Sequence, residues 1–560
     1  MSLSLQKPEF LTNVPVELSF GTSGLRGPVT IMTDLECYIN TRAFLNYLKA
    51  TNNINDGDVI CVAGDLRPST AQIMTAVAVA IGDSGCKVDN CGLIPTPAMA
   101  YYALQQDRAG VMVTGSHIPV DRNGIKYYKC SGEVLKADEA GILASVYSVR
   151  REEYAKTAAE TLFDKNGSFK QPEPIKPAGK AAAQAFTKRY LDVFPPDIFS
   201  GKTILVYQHT AVGRDILTHI LAQLGADVIP VKRSDVFVAF DTENITLQDR
   251  ELFRVMMQEY RGKKPFAMVT TDGDSDRPLI ADENGEAYRG DVLGIIVCQY
   301  LKARYAAVPV SANEAVAIQL EKDGITLQPT KIGSPYVIDA MNSWIKEGKS
   351  PVVGWEVNGG FLTGTDIVIN GQVLKALPTR DSILPILCAL ARAIDKKVPV
   401  SALFTALPQY YTDAGLLNNF PPDISKRILA YYSPPAENKI KQVSFANGKI
   451  MTEDNTGLNP ESNSSDSQLK VWLTIKSELE KYFDTKHGFS GIKLINYQDG
   501  IRIWFANGDI AHLRPSGNAP QFRIYSNATT QERASEIIRF CLAEPDGIIS
   551  QMKKSLKNSP

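Results

Sequence analysis

The chain has 560 residues, 44% of them hydrophobic and 22% charged, with a formal net charge of −1, and that length suggests roughly three to five domains. The balanced charge offers no basic field to a nucleic acid. No run of about eighteen apolar residues predicts a membrane span, and the first ten residues lack the basic start and apolar core of a secretory signal. The eight cysteines are scattered, with no Cys-x-x-Cys, and read as reduced core residues of a cytoplasmic protein.

In chain order, Phe20-Gly21-Thr22-Ser23-Gly24-Leu25-Arg26-Gly27 comes first. Three glycines around one arginine expose backbone N–H groups beside a guanidinium, which suits an oxyanion or a phosphate. Apolar spacing predicts a helix over 34–49, then a strand over 58–63 and a loop over 64–69. Ser69 or Thr70 would cap a helix running through 73–81. A strand over 88–93, a helix over 96–105 and a strand at 111–113 complete a doubly wound unit.

That last strand empties into Thr114-Gly115-Ser116-His117, which holds a hydroxyl nucleophile at the strand's carboxyl end, where open α/β sheets place ligands. Asp121-Arg122-Asn123-Gly124 reads as a turn, and it would fold Lys126 back toward Ser116. A serine alone is a weak nucleophile and needs a base, a metal or prior phosphorylation. A loop serine that only caps a helix is the competing reading. An acyl hydrolase wants Gly-x-Ser-x-Gly at its nucleophile elbow, and Thr-Gly-Ser-His-Ile-Pro lacks the second glycine.

The same order of elements returns twice. Strands over 203–207 and 227–231 flank a loop and helix over 213–225, and a strand over 266–270 delivers Thr271-Asp272-Gly273-Asp274-Ser275-Asp276. A strand over 306–310 and a helix over 314–323 precede a strand over 351–354, which delivers Trp355-Glu356-Val357-Asn358-Gly359-Gly360. Three related α/β domains, each ending in one polar loop that faces a common cleft, is the economical reading. Residues 164–180, with Pro172, Pro174 and Pro177, read as a linker or an insertion before the second unit. Residues 452–468 read as a mobile polar surface loop. A hairpin over 500–513, Arg514-Pro515-Ser516-Gly517-Asn518-Ala519-Pro520, a strand over 521–525 and a helix over 532–541 predict an α+β fourth domain. The boundaries follow as 1–182, 183–290, 291–402 and 403–560.

Asp272, Asp274 and Asp276 stand at i, i+2 and i+4, which in an extended loop turns their carboxylates to one side. Three such charges repel unless a hard cation sits among them. A solvated acidic turn is the alternative. An EF-hand is excluded: Glu283 falls at its twelfth position, but Arg277 stands where Gly is needed, Pro278 follows, and a strand leads in. Mg²⁺ suits a site of few carboxylates completed by phosphate oxygen and water. Glu356 and Asn358 suit vicinal sugar hydroxyls, or form a plain polar turn. Arg514, Ser516, Gly517 and Asn518 offer a guanidinium, a hydroxyl and open N–H groups to a phosphate; the alternative is a type I turn at Pro515. Assembled, these parts specify phosphoryl transfer.

Five stations, Phe20–Gly27, Thr114–His117, Asp272–Arg277, Gly354–Glu356 and Arg514–Gly517, stand in the order of one family. Along nearly its whole length the chain resembles the α-D-phosphohexomutases, the phosphoglucomutase/phosphomannomutase group. The resemblance implies three sheet-and-helix sandwich domains and a C-terminal α+β domain around a central cleft. It implies a phosphorylated Ser116, with Mg²⁺ held by Ser116, Asp272, Asp274 and Asp276. Lys126 would be the general acid/base, supported by Arg26 and His117. Arg277, Glu356, Asn358, Arg514, Ser516, Gly517 and Asn518 would bind substrate. The implied reaction interconverts mannose or glucose 1-phosphate and 6-phosphate through a bisphosphate, with glucose or mannose 1,6-bisphosphate as activator. The only partner expected is the small sugar phosphate, in a monomer or homodimer.

The sequence departs from the family at Ile118 after Ser-His, at Asn358 for serine, and at Asn518 and Ala519 for Thr and Glu. Residues 331–336 lack a histidine, and Arg380-Asp381 only partly matches a Lys-Asp pair. These leave open pentose or amino-sugar phosphates as substrates, or a non-catalytic phosphosugar-binding relative.

Overall fold

The apolar strands read above fall into three mixed sheets with one shared order. The computed structural model describes residues 7–14, 16–21, 24–435, 439–445, 449–454, 457–460, 465–516 and 520–557. In each sheet a first strand (Val59–Gly64, Thr203–His209 or Tyr305–Pro309) lies between a second and a third. The second strands are Lys87–Leu93, Asp227–Arg233 and Thr326–Thr330. The third strands are Gly110–Val113, Ala267–Thr271 and Val352–Trp355, each parallel to its first. Parallel neighbours need a crossover, and the intervening helices supply it. A fourth strand (Arg122–Lys129, Pro278–Ala281 or Phe361–Thr363) then runs antiparallel beside the third. The turn joining the third and fourth strands is therefore the same place in all three sheets, and it carries the serine, the aspartates and Glu356 in turn.

The third strands are mostly apolar because both faces are covered: Gly110–Val113, Ala267–Thr271 and Val352–Trp355 are buried at every position. The chain divides into two compact units. The first is Met1–Val308, Leu320–Gln328 and Gly333–Ala406, and it holds the three turns; the second is Pro309–Gln319, Pro329–Ile332 and Leu407–Pro560. The second unit is built on an eight-stranded antiparallel sheet. The helices Gln531–Leu542 and Ile548–Lys557 contribute Ile537, Cys541, Ile549 and Met552 to its core.

Several sequence expectations are corrected. Arg122–Gly124 is not a turn: the fourth strand begins at Arg122 because Leu25–Pro28 pairs alongside it, with Gly124 opposite Arg26. Only glycine fits there, since a Cβ would stand 2.5 Å from the Leu25 carbonyl oxygen. The loop expected over 452–468 instead forms the strands Met451–Asp454 and Gly457–Pro460 and the start of the helix Asp466–Glu480, residues 455–456 and 461–464 lying outside the described set. Pairing of Met451–Asp454 with Gln442–Ser444 on one side and Gly457–Pro460 on the other gives these strands their backbone partners, and Ser465 and Gln468, read as loop, form a capping box. Ser69 makes no cap bond; its Oγ accepts from Asn123 Nδ2 at 2.9 Å, and Thr70 Oγ1 donates to Asp65. The stretch over 164–180 lacks helix and strand apart from one bridge, but it is pinned to the first sheet by Asn90, which bonds Lys176 and Gly179.

Among the described residues no helix is long and apolar enough to cross a membrane. All eight cysteines are free.

Candidate active site

Ser116 opens the turn after the strand Gly110–Val113 with a left-handed backbone, φ +56°. A serine holds that conformation only when its surroundings impose it. Two devices do so. The Ser116 N–H donates to Thr114 Oγ1 at 2.7 Å, and Thr114 Oγ1 donates to Asp65 Oδ2 at 2.7 Å. The buried Arg67 guanidinium donates to the carbonyls of Ser116, Ile118, Pro119 and Arg122, while Asp65 accepts from its Nε and its backbone N–H. The hydroxyl is thereby presented to the second sheet's turn, where Ser116 Oγ donates to Asp272 Oδ2 at 2.5 Å. His117 Nδ1 lies 3.3 Å from the same oxygen. Burial, then the charges of Arg277 and Arg26, hold the imidazole far below its ordinary range and so neutral.

The aspartates meet through a tight turn rather than through strand alternation. The Ser275 N–H donates to the Asp272 carbonyl at 3.1 Å, and Ser275 takes φ +56°. Asp272 Oδ1 accepts the N–H groups of Asp276 and Arg277. The earlier expectation of an extended loop fails because these side chain-to-backbone bonds wind the chain. Elements of all three sheets hold the turn: Thr96 N donates to the Asp274 carbonyl, Val212 N to the Gly273 carbonyl and Ser382 Oγ to the Ser275 carbonyl. Gly273 is required, since a Cβ would stand 2.5 Å from the Ser116 carbonyl oxygen.

The three carboxylates are buried, and each places an oxygen within 4.8 Å of the others. Lys126, opposite Met112 on the fourth strand, donates to Asp274 Oδ2 at 2.6 Å and Asp276 Oδ2 at 2.7 Å. Burial, with the charges of Asp274 and Asp276, raises the Asp272 carboxyl well above the ordinary range. Asp274 and Asp276 are held low despite their burial, Asp274 by Lys126 and Asp276 by Arg380 and Lys126. Asp274 Oδ1 and Asp276 Oδ1 are buried without a hydrogen-bond partner among the described residues. Two such oxygens are costly unless something engages them, and an all-oxygen donor set of this kind fits a hard divalent cation.

Arginines stand beside the anions. Arg277 comes no nearer than 3.6 Å to Asp276 and 3.9 Å to Asp272, and its buried Nε has no hydrogen-bond partner among the described residues. The Arg26 guanidinium is lowered to about 10 by burial and by the charges of Arg277 and Arg380. Guanidinium groups held together in this way favour a dianion between them.

Arg380, assigned no role by the sequence reading, ties two turns together. Its Nε donates to Asp276 Oδ2 at 2.9 Å and its Nη1 to Glu356 Oε2 at 2.8 Å. The only sequence signal was its place in Arg380-Asp381; no motif reaches from there to Asp276. Asn358 braces its own turn, its Oδ1 accepting the Gly360 N–H at 3.0 Å, and it is buried. Ser334, in the stretch lacking a histidine, donates to Glu133 Oε2 at 2.8 Å.

In the second unit, Arg514 Nε lies 3.1 Å from Asp499 Oδ2, and the Ser516 N–H donates to the Gln521 carbonyl. Arg523, also missed by the sequence reading, stands directly across the strand pair from Arg514. Like charges in that register repel unless an anion joins them. Gly517 and Asn518 lie outside the described residues.

A repeated sheet-and-helix architecture that sets a buried serine hydroxyl against three aspartates, a lysine and several arginines defines an enzyme of phosphoryl transfer. Residues 17–152 match the family profile of phosphoglucomutase/phosphomannomutase alpha/beta/alpha domain I, and residues 289–411 match that of domain III. A phosphomannomutase of Sinorhizobium fredii is 33% identical over 94% of this chain and 98% of its own length. One of Salmonella muenchen is 34% identical over 94% of this chain and 95% of its own. Among solved structures, a putative phosphomannomutase from Thermus thermophilus superposes with a TM-score of 0.65 at 16% identity, over 97% of this chain and 100% of its own. The chain belongs to the phosphoglucomutase/phosphomannomutase family, the α-D-phosphohexomutases. It is an isomerase that relocates a phosphoryl group on a sugar phosphate.

Proposed function

We propose that the protein interconverts the 1-phosphate and 6-phosphate of mannose, glucose or both, with Ser116 as phosphoryl carrier. In the first half-reaction the Ser116 Oγ–P bond breaks and a bond forms from phosphorus to a sugar hydroxyl, giving a sugar bisphosphate. That intermediate turns over, its other phosphoryl returns to Ser116, and the second half-reaction is the reverse of the first. Lys126 takes the hydroxyl proton in one direction and gives it back in the other. Arg26 and Arg277 neutralise charge on the transferring group, and neutral His117 hydrogen-bonds beside it. Asp272, Asp274 and Asp276, with the Ser116 phosphoryl, would hold Mg²⁺, which when bound supplies charge neutralisation to the phosphoryl oxygens. Glu356 and the Asn358 amide read sugar hydroxyls. Arg514, Ser516, Gly517 and Asn518 hold the phosphate that is not transferred.

The observation that carries this reading is the juxtaposition of Ser116 Oγ with a triad that leaves Asp274 Oδ1 and Asp276 Oδ1 unpartnered, beside the crowded Arg26 and Arg277. The reading includes four domains at 1–182, 183–290, 291–402 and 403–560, a cytoplasmic setting, a monomer or homodimer, and a hexose 1,6-bisphosphate as activator. It is tested by a coupled mutase assay with Mg²⁺ and catalytic bisphosphate on glucose, mannose, glucosamine and ribose 1-phosphates. Turnover of mannose or glucose phosphate is expected, and it disappears in Ser116→Ala. Turnover that survives Ser116→Ala overturns the mechanism, and turnover confined to glucosamine or ribose phosphate overturns the substrate assignment.

A further inference from the structure

The strand Asp227–Arg233 leads into an irregular stretch over 234–246 before the helix Leu247–Glu259. None of the roles above uses this stretch, yet it touches the supports of two catalytic turns. Near its start the Phe237 ring lies 4.3 Å from the Arg67 guanidinium that holds the Ser116 turn. Near its end the buried Thr242 donates to the Asn358 carbonyl at 3.2 Å. Between them Asp241 Oδ1 lies 4.0 Å from Arg277 Nη1 and accepts the Glu243 N–H at 3.0 Å. Glu243 is thus anchored through its neighbours to the sugar turn and to Arg277.

The Glu243 side chain is exposed, and among the described residues no hydrogen bond or ion pair engages its carboxylate. Arg277, Arg289, Asp241 and Glu356 are the charges that act on it. Enough protein surrounds the group that desolvation raises its carboxyl above the ordinary range, against the pull of Arg277. The bonds of Thr242 and Asp241 hold the Glu243 backbone beside the sugar turn and Arg277, and a ligand bound at those groups is the partner its carboxylate lacks.

We propose that Glu243 is a second sugar-reading carboxylate, which accepts a hydrogen bond from a ring hydroxyl of the bound hexose phosphate and, with Glu356, decides which hydroxyl arrangement the site accepts. The proposal rests on the phosphohexomutase reading of the site. Glu243→Gln keeps the shape and removes the charge. Glu251→Gln, an exposed position on the following helix, serves as control. Steady-state kcat and KM are measured for glucose, mannose and glucosamine 1-phosphates. A hydrogen bond to a charged group predicts a shift of about tenfold in the kcat/KM ratio between sugars for Glu243→Gln, chiefly in KM, and none for the control. A common fall for all three sugars would mean that Glu243 only balances Arg277, and it overturns the proposal, as do unchanged ratios. If the wild-type protein turns over none of them, the mutase reading fails, and calorimetric binding of the same sugar phosphates decides Glu243. Binding weakened about tenfold by Glu243→Gln then supports it, and equal binding or no binding overturns it.

Discussion

Arg380→Met removes a side chain that bonds both Asp276 and Glu356 while roughly keeping its volume. Arg380 is 2% exposed, so neither carboxylate can turn to bulk water in exchange. Asp276 keeps Lys126 at 2.7 Å, and Glu356 loses its ion pair. Breaking a buried pair from one side costs about 3–5 kcal/mol, because the partner remains charged and desolvated. Local opening of the 272–277 and 356–360 turns then becomes easier by roughly two to nearly four orders of magnitude, which hydrogen-exchange mass spectrometry of the corresponding peptides reads directly. Divalent metal restores part of this loss, since a ligand at a hundred times its Kd returns about 2.7 kcal/mol. Arg380→Lys keeps the charge but cannot span both acceptors, so it loses one charge-assisted bond, about 1.5–3 kcal/mol. Exchange in Arg380→Met within threefold of the wild type, without metal, would refute the view that this arginine bears the charge of both turns.

Gly273→Ala places a methyl 2.5 Å from the Ser116 carbonyl oxygen; displacing the turn by about 1 Å is expected to lower kcat about a hundredfold with unchanged far-ultraviolet circular dichroism, and normal kcat would show that the two turns need not touch. Thr114→Val leaves the Ser116 N–H without its acceptor and Asp65 without one of its donors. The expected loss is about 1–3 kcal/mol in urea unfolding, with kcat falling and KM held. In the second unit, burial and then Arg502 hold His512 at about 4 against an ordinary 6.5. A depressed pKa means that the unfolded chain takes the proton first, so this contribution is complete above pH 6.5 and lost as the pH falls toward 4. The loss reaches about 3 kcal/mol. Exchange in the strand Ile510–Pro515 should therefore quicken between pH 6.5 and 4, after correction for intrinsic rates, and less steeply in His512→Gln.

The third strands were legible because they are short, mostly apolar runs, and their turns because serine, aspartate and glutamate stand within three residues after them. What escaped the sequence lies far along it. Arg380 is 104 residues from Asp276, and Arg67 is 49 from Ser116; no periodicity links such pairs, and only the folded sheets bring them together. The polar residues over 452–468 misled for a different reason. Thr452 and Glu453 gain their strand from hydrogen bonds to a neighbour, and Ser465 gains its meaning from the helix it caps. Asp121-Arg122-Asn123-Gly124 likewise looks like a turn until Leu25–Pro28 pairs with it. Local chemistry was readable wherever one motif contained it, and unreadable wherever a distant strand or arginine completed it.

The central claim is that Ser116 carries the phosphoryl group. Wild-type protein is incubated with Mg²⁺ and glucose 1,6-bisphosphate labelled in its phosphoryl groups, then digested, and its phosphopeptides are mapped by mass spectrometry. The account predicts label on Ser116 alone, discharged when unlabelled mannose or glucose 6-phosphate is added, and no label in Ser116→Ala. Sugar phosphate turnover with Ser116 unlabelled, or with label on another residue, would contradict it.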